Sequence, residues 1–308
     1  MPDKEQPLAG KRIGIVGKGG AGKSTVTLLI AKALRRRDYE VCILDADSTN
    51  VGFNKILGLP GPPKSLIDLF GGMVFSGGTV TCPVDDPTPL PNAELDLEQI
   101  PAEYYVENQD GIMMLAAGKI GDLGPGAGCD GPINKIARDV RIVHDGRTPV
   151  TLVDFKAGFE DSARGAITSL DWVLAVVDPT HAAIQMAIHM KKMVELLIAG
   201  TPPATEHLES RELVQLAVKL FKETEICGVL AILNRIRDPE MEEYICSKLL
   251  EGGVETIGSI NDDPLVTASW LKGIPFDGME LSQKADSIIA GLEKVVSDRS
   301  HHHQHNDE

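Results

Sequence analysis

The stretch VGKGGAGKST, residues 16–25, decides how the rest of the chain is interpreted. The pattern G-x-x-x-x-G-K-[ST] of a phosphate-binding loop is satisfied here by Gly17, Gly22, Lys23 and Ser24. An apolar run, RIGIV at 12–16, precedes the pattern, and a helical pattern at 24–37 follows it. Because a phosphate-binding loop joins a strand to the start of a helix, this context supports the motif. The stretch therefore predicts a nucleotide site in an α/β fold.

The loop residues have distinct predicted roles toward a triphosphate. Glycines allow the backbone to wrap closely, so that its N–H groups point at the phosphates. We expect Lys23 to neutralise the β and γ phosphates, the Ser24 hydroxyl to coordinate Mg²⁺, and Thr25 to reach the α phosphate. The predicted nucleotide-contacting residues of the loop are Gly19, Gly20, Ala21, Gly22, Lys23, Ser24 and Thr25.

Outside the loop, short apolar runs alternate with helical patterns along most of the chain, which is typical of repeated βαβ units. Strands are predicted at 12–16, 40–47, 112–117, 150–155, 172–178 and 228–234. Helices are predicted at 24–37, 182–198, 211–223 and about 280–298. We therefore expect an α/β fold, a single P-loop NTPase domain over residues 10–298 with a mostly parallel sheet flanked by helices on both faces.

Two segments differ from this alternation. Residues 59–110 are rich in proline and glycine, so we expect an insertion over one sheet edge without a long element. Residues 299–308, RSHHHQHNDE, are expected to form a disordered tail. The histidines of this tail are a compositional signal for metal binding, and the alternative is a solvated chain end.

Composition limits the classes of partner. A formal net charge of −15 opposes binding to phosphate backbones and to anionic lipid, so we expect neither a nucleic acid nor a membrane partner. The start of the chain has no apolar signal core, and five widely spaced cysteines are unlike a secreted disulfide framework. These features predict a cytoplasmic protein.

Lys18 is a second lysine within the phosphate-binding loop. The resulting pattern K-G-G-x-G-K-[ST] resembles the deviant Walker A loop of the MinD and ParA ATPases, the nitrogenase iron protein and the CooC-type ATPases of nickel insertion. The resemblance extends from residue 12 to about 275. It implies an ATP-closed homodimer in which Lys18 reaches the partner's nucleotide and stabilises charge during hydrolysis. The alternative for Lys18 is a solvated loop lysine.

The same resemblance assigns roles to acidic residues after two other strands. In LDADSTN, Asp47 positions or activates the attacking water and Asp45 lies near Mg²⁺, whereas both only cap the next segment in the alternative reading. The predicted catalytic residues are Lys18, Lys23 and Asp47. LVDFKAGFED resembles the Walker B and switch II segment, which implies that Asp154 holds Mg²⁺ through water and that the Gly158 N–H contacts the γ phosphate. Lys156 departs from this pattern, because relatives carry a small or acidic residue there.

The base is expected to be adenine. Asn234 in ILNRI matches an asparagine that relatives use at the adenine edge, since an amide both donates and accepts hydrogen bonds. SINDDP, at 259–264, resembles the loop beside the base. A guanine site would have an N-K-x-D pattern, and Asp238 stands one place too late for it. These features favour ATP over GTP.

Cys129 is the candidate for a second metal. GPGAGCDGPINKIARDV, at 124–140, resembles the region where the iron protein has a cluster ligand and CooC proteins have a Cys-x-Cys pair at the dimer seam. One such cysteine per subunit gives two thiolates in a dimer, fewer than a four-iron cluster needs. Two Cys129 thiolates can hold Ni²⁺ or Zn²⁺, and the alternative is a packed or merely exposed thiol. Cys82, in the insertion, has no predicted role.

These observations predict an ATP-hydrolysing dimerisation switch that assists maturation of a metalloenzyme, with nickel insertion into carbon monoxide dehydrogenase as the leading client hypothesis. One alternative is a positioning ATPase, which needs a basic surface or a basic amphipathic terminal helix. The other is an iron–sulfur reductase component. Cofactors expected for the leading hypothesis are ATP, Mg²⁺ and either Ni²⁺ or Zn²⁺.

Overall fold

Short runs of aliphatic residues form the strands of the central sheet. A computed structural model of the chain describes residues 6–119, 129–158 and 165–304, with side chains up to Arg299. The glycine-rich approach to Cys129, the end of the predicted switch II segment and His305 lie outside these residues. The strands are β1 (Arg12–Gly17), β2 (Val41–Ala46), β3 (Glu94–Asp96), β4 (Val106–Glu107), β5 (Ile112–Ala116), β6 (Arg141–Val143), β7 (Val150–Phe155), β8 (Trp172–Val177), β9 (Gly228–Ile236) and β10 (Glu255–Asn261).

Helices with an apolar face cover this sheet. They are α1 (Lys23–Arg36), α2 (Phe53–Ile56), α3 (Leu66–Leu69), α4 (Gly131–Asp139), α5 (His181–Ile198), α6 (Arg211–Lys222), α7 (Pro239–Glu251), α8 (Pro264–Lys272) and α9 (Met279–Gln304). Side-chain oxygens begin four of the later helices by accepting an N–H of the first turn, since the first N–H groups of a helix have no partner within it. These capping residues are Thr180, Ser210, Asp238 and Asp263.

The described part of the chain forms an eight-stranded sheet in the order β10-β9-β8-β1-β7-β2-β5-β4. Neighbouring strands are parallel except β4, which pairs antiparallel with β5 at the edge. Every residue of β1, β2, β5, β7 and β8 is buried, as in a sheet covered on both faces. One apolar cluster packs α1 and α9 on one face, and the other packs α4, α5 and α7 on the opposite face. The predicted fold class is confirmed.

The strand order brings three loops together at one edge of the sheet. β7 lies between β1 and β2, and Asp154 of β7 is the register partner of both Ile15 and Asp45. The segments that follow β1, β2 and β7 therefore leave the sheet side by side. In open α/β sheets, ligands bind outside the carboxyl ends of the strands.

Residues 59–110 contain only short elements: α3, β3, β4 and two single turns of 3₁₀ helix. Buried side chains such as Ile67 and Leu95 join this segment to the apolar cluster that includes α4. The buried Lys135 of α4 also donates to Thr81 and to Asp86, so the segment is held by polar as well as apolar contacts. It covers the sheet close to the edge formed by β4.

The final helix differs from the prediction. The sequence predicts a disordered tail from residue 299, whereas α9 continues to Gln304. Residues 292–304 contain no glycine or proline that would end the helix. Arg299 also anchors this turn, because its guanidinium lies 4.7 Å from the ring centroid of Trp172 and donates to the Cys227 carbonyl.

Candidate nucleotide site

The phosphate-binding loop requires glycine for both conformation and space. Gly20 and Gly22 have φ angles of 81° and 90°, in the left-handed region that side chains disfavour. A Cβ atom on Gly22 would lie 2.2 Å from Nδ2 of Asn234. The loop therefore leads into α1 with Gly22 at the helix start and Lys23 as the first helical residue.

Asn234 supports the phosphate-binding loop through a hydrogen bond. It is buried at the end of β9, and its Nδ2 donates a hydrogen bond of 2.7 Å to the carbonyl of Ala21. The sequence assigns this side chain to the adenine edge. In the structure its amide group holds the loop instead, and adenine recognition by Asn234 stays a prediction. The sequence pattern does not predict this contact, which depends on how β9 packs beside β8 and β8 beside β1.

An open cavity of about 330 Å³ lies over the loop. Three of the predicted site residues in its wall are Lys23, Ser24 and Asp47. Lys23 is buried, and its ammonium makes no ion pair with another described residue, so its charge remains available for phosphates. A buried unpaired cation is costly unless an anion accompanies it. The cavity is therefore suited to an anionic ligand.

Asp154 and Ser24 form the centre of the predicted Mg²⁺ site. Ser24 Oγ donates to Asp154 Oδ2 at 2.6 Å and accepts from Asn50 Nδ2 at 2.9 Å. The other carboxylate oxygen of Asp154, Oδ1, is buried without a hydrogen-bond partner in the part of the chain that the structure describes. Burial raises the pKa of Asp154 to about 7, and the neighbouring charge of Asp45 adds to this effect. A partly buried hydroxyl beside an unsatisfied carboxylate oxygen fits Mg²⁺, which takes oxygen ligands.

Asp45 has partners on both carboxylate oxygens. Oδ2 accepts from Lys119 Nζ at 2.7 Å, and Oδ1 accepts from the Asp47 backbone N–H at 3.1 Å. Burial raises the pKa of Asp45 to about 6, although the Lys119 charge opposes the shift. Sequence reasoning missed Lys119, whose signal was a cation just after β5 at the same edge of the sheet. The structure thus places Asp45 beside Asp154 but pairs it with Lys119.

Asp47 belongs to the loop that lines the cavity. Its Oδ1 accepts from the backbone N–H and the hydroxyl of Thr49, at 2.9 and 2.7 Å, and its carbonyl accepts from Lys119 at 2.6 Å. These bonds hold its carboxylate at the cavity wall. A carboxylate in that position can orient a water beside a bound phosphate.

Lys18 points away from the cavity wall. Its Nζ lies 3.9 Å from Asp178 Oδ2 at the end of β8, and its side chain is 40% exposed. The two loop lysines are therefore separated: Lys23 lies in the nucleotide cavity, whereas Lys18 lies at the surface beside it. An ion pair of this length and exposure contributes little stability.

The segments after β7 and before α4 meet through one carboxylate. Asp130 Oδ1 accepts from Ser48 Oγ at 2.5 Å, and its Oδ2 accepts from Lys156 Nζ at 2.6 Å. Cys129 is half-buried beside it, and the Gly131 N–H donates to its Sγ at 3.3 Å. Gly158 has a φ angle of 114°, so its backbone conformation favours glycine. Over residues 6–119, 129–158 and 165–304, no three His, Cys, Asp or Glu side chains are grouped to hold a metal ion.

Four residues of the cavity wall were not predicted: Thr49, Asn50, Arg235 and Trp270. Trp270 of α8 donates from Nε1 to Thr25 Oγ1 at 2.8 Å and stacks on Phe53 with ring centroids 6.4 Å apart. Arg235 follows Asn234 with a φ angle of 61° and also lines the cavity. The Thr25 hydroxyl, predicted to reach the α phosphate, is thus engaged by Trp270 in this structure. Neither contact of Trp270, with Thr25 or with Phe53, has a local sequence signal, because each joins residues far apart in the chain.

The described helices include none with the length and apolar character to cross a membrane.

Comparisons with known proteins agree with this geometry. Residues 11–70 match the ParA family model, described as NUBPL iron-transfer P-loop NTPase. An uncharacterized ATP-binding protein of Methanocaldococcus jannaschii is 33% identical over 188 residues, which are 60% of this chain and 74% of that protein. The carbon monoxide dehydrogenase accessory protein CooC of Rhodospirillum rubrum is 26% identical over 181 residues, 58% of this chain and 67% of that protein. The cell division ATPase MinD of Pyrococcus furiosus superposes with a TM-score of 0.55 at 18% identity, covering 93% of this chain and 99% of MinD.

Proposed function

The chain belongs to the MinD/ParA family of P-loop ATPases, and from that premise we propose that it is an ATP-driven dimerisation switch that assists maturation of a metalloenzyme. ATP binding closes two copies face to face, and hydrolysis reopens them. The metal handled in this cycle is Ni²⁺ or Zn²⁺, and carbon monoxide dehydrogenase is the leading client.

The residues of the cavity divide the chemistry between them. Lys23 and the backbone N–H groups of the loop hold the phosphates, and Ser24 and Asp154 hold Mg²⁺, which neutralises phosphate charge when bound. Asp47 orients the attacking water and accepts its proton at a carboxylate oxygen. Lys119 keeps the Asp47 loop in place through the Asp47 carbonyl.

The separation of the two lysines carries the dimer proposal. Lys23 is buried inside its own cavity, whereas Lys18 is exposed and only loosely paired with Asp178 at 3.9 Å. Breaking such a weak pair costs about 1 kcal/mol or less. A triphosphate bound to a facing copy offers more negative charge than Asp178 does, so Lys18 exchanges partners when the dimer closes. The positive charge of Lys18 from one copy then stabilises the transition state of phosphoryl transfer at the nucleotide of the other copy.

The metal role rests on Cys129 and on the similarity to CooC, a carbon monoxide dehydrogenase accessory protein. Cys129 is adjacent to Asp130, which is bonded to Ser48 in the loop after β2 and to Lys156 after β7. The loop after β2 lines the nucleotide cavity, and Ala157 of the segment after β7 lies against Gly19 of the phosphate-binding loop, where a Cβ atom would be 3.7 Å from Ala157 Cβ. A change in nucleotide can therefore reach the cysteine through contiguous hydrogen bonds, and this coupling is what a loading cycle requires.

The decisive experiment compares Lys18→Ala with Lys11→Ala, a matched control whose lysine is similarly exposed and paired with Asp171 at the opposite end of the sheet. Mass in solution is measured by light scattering with ADP and with a nonhydrolysable ATP analogue, and phosphate release is measured with ATP. We expect Lys18→Ala to bind ATP within about twofold of wild type, to stay monomeric and to lose about a thousandfold in turnover. Lys11→Ala should behave as wild type. ATP-dependent dimers and normal turnover in Lys18→Ala would overturn the proposal.

The client is tested separately. Nickel-free carbon monoxide dehydrogenase is incubated with limiting Ni²⁺, ATP and either wild type or Cys129→Ser. We expect wild type to speed activation and Cys129→Ser not to do so. Equal activation with and without the protein would remove this client while leaving the ATP-dependent switch in place.

A further inference from the structure

We propose that Cys82 and Cys129 form a two-thiolate site for a thiophilic metal ion at the N-terminal end of α4. The inference deepens the metal role proposed above, because it gives each subunit its own ion site. It also supplies a role for Cys82, for which the sequence predicted none.

Both cysteines lie against the same residue, Gly131. A Cβ atom built on Gly131 would lie 2.6 Å from Cys82 Cβ and 2.7 Å from Cys82 Sγ. The backbone N–H of Gly131 donates to Cys129 Sγ at 3.3 Å. Cys82 comes from the insertion and Cys129 from the segment before α4, so the fold brings two cysteines from distant parts of the chain against one glycine. A side chain at position 131 would clash with Cys82.

The segment that carries Cys82 is fastened to α4. Lys135 is buried in α4, and its Nζ donates to Thr81 Oγ1 at 3.0 Å, to the Asp86 carbonyl at 2.9 Å and to Asp86 Oδ2 at 3.0 Å. The Asp86 N–H in turn donates to the Cys82 carbonyl at 2.9 Å, which closes a turn over residues 82–86. A buried ammonium is stable only when fully hydrogen-bonded. Lys135 therefore holds Cys82 in position over the start of α4.

Two thiols held against one glycine suit soft and borderline ions. On binding, each thiol releases a proton to solvent, and each sulfur forms a metal–sulfur bond of about 2.3 Å for Zn²⁺. The remaining coordination positions are left to water or to side chains of a client. Open positions of this kind let an ion be passed on, whereas a closed set of four protein ligands retains it. The absence of a third grouped ligand among the described residues is consistent with such a site.

The site is linked to the nucleotide cavity. Asp130 lies between Cys129 and Gly131 in the chain, and its carboxylate accepts hydrogen bonds from Ser48 and Lys156. Movement of either partner on ATP binding displaces the backbone that carries the Cys129 thiol. We therefore expect nucleotide to change the affinity for the ion.

Cd²⁺ serves as the probe, because its thiolate complexes absorb in the ultraviolet in proportion to the number of metal–sulfur bonds. The full-length, reduced protein is titrated anaerobically as wild type, Cys82→Ser, Cys129→Ser and Cys246→Ser. Cys246 is half-buried on α7 and is the matched control. We expect wild type and Cys246→Ser to bind one ion per subunit with equal absorbance. Cys82→Ser and Cys129→Ser should each lose about half of the absorbance and at least about tenfold in affinity.

A further variant keeps the proposal testable if Cys82→Ser fails to fold. Gly131→Ala retains both thiols but pushes Cys82 away, so its affinity should fall while its thermal unfolding remains cooperative. The proposal of a two-thiolate site would be overturned if Cys82→Ser bound Cd²⁺ as wild type does. It would also be overturned if wild type gave no thiolate absorbance. ATP-dependent dimerisation of the same samples is recorded in parallel, so failure of the ion site and failure of the switch are distinguished.

Discussion

Lys156 Nζ lies 2.6 Å from Asp130 Oδ2, and this ion pair joins the segment after β7 to the segment before α4. Lys156 is the residue at which the chain departs from the family pattern, and Asp130 follows the cysteine that resembles the metal-binding position of relatives. The residue that departs from the family pattern is therefore in contact with the residue that follows Cys129. A lysine in the switch II segment has a structural partner in this protein.

A double-mutant cycle tests that contact. Asp130→Asn and Lys156→Met should each lower the free energy of unfolding by about 1–2 kcal/mol, because a partly buried charge loses its partner. The double variant should lose less than the sum, with a coupling of about 1 kcal/mol in urea unfolding. The exposed pair of Lys64 and Glu103, 2.9 Å apart, is the control and should give a coupling near zero. Additive effects at Asp130 and Lys156 would contradict the contact.

An experiment can separate two roles of Asn234, support of the phosphate-binding loop and recognition of the base. Asn234→Ala removes the hydrogen bond to the Ala21 carbonyl, so the nucleotide-free protein should lose about 1–2 kcal/mol of unfolding free energy. Binding of ATP and of GTP should weaken together, since the loop serves the phosphates of both. Calorimetric titration and urea unfolding measure the two effects. Unchanged stability with a selective loss of ATP binding would show that the side chain serves adenine alone.

Stability of the nucleotide-free protein should depend on the buried carboxyl of Asp154. Its pKa is about 7 in the folded protein, against 3.8 as the ordinary value, so the folded state holds a proton that the unfolded state releases. This contribution to stability is complete below pH 3.8 and is lost as the pH rises through 7. Asp154→Asn should therefore unfold at higher urea than wild type at pH 8, by about 1–3 kcal/mol, with the gap closing toward pH 5. A gap for Asp154→Asn that stays constant with pH would contradict the prediction.

The fluorescence of Trp270 should report nucleotide binding. The chain has two tryptophans, and only Trp270 lines the cavity, whereas Trp172 is buried in β8 against Arg299. Because Trp270 Nε1 donates to Thr25 in the loop, a bound α phosphate changes its surroundings. We expect ATP to change the emission of wild type and of Trp172→Phe by a similar fraction. The change should disappear in Trp270→Phe, and its persistence there would place the reporter elsewhere.

The local sequence pattern is sufficient to predict the central strands and the phosphate-binding loop. Apolar runs such as 150–155 are typical of buried strands in a sheet covered on both faces, and the loop motif requires a strand before it and a helix after it. β10 was missed because its sequence, ETIGSIN, alternates weakly and is only partly buried at the edge of the sheet. The extension of α9 to Gln304 is not predicted, because a histidine tract indicates a polar chain end by composition, although nothing in it breaks a helix.

The sequence by itself determined the α/β class, the nucleotide loop and the two lysines within it, since these depend on residue type and spacing over a few positions. Only the tertiary structure decided which residues meet: Lys119 with Asp45, Asn234 with Ala21, Lys156 with Asp130, and Cys82 with Gly131. Such contacts join residues far apart in the chain, and strand order and packing, rather than local spacing, bring them together.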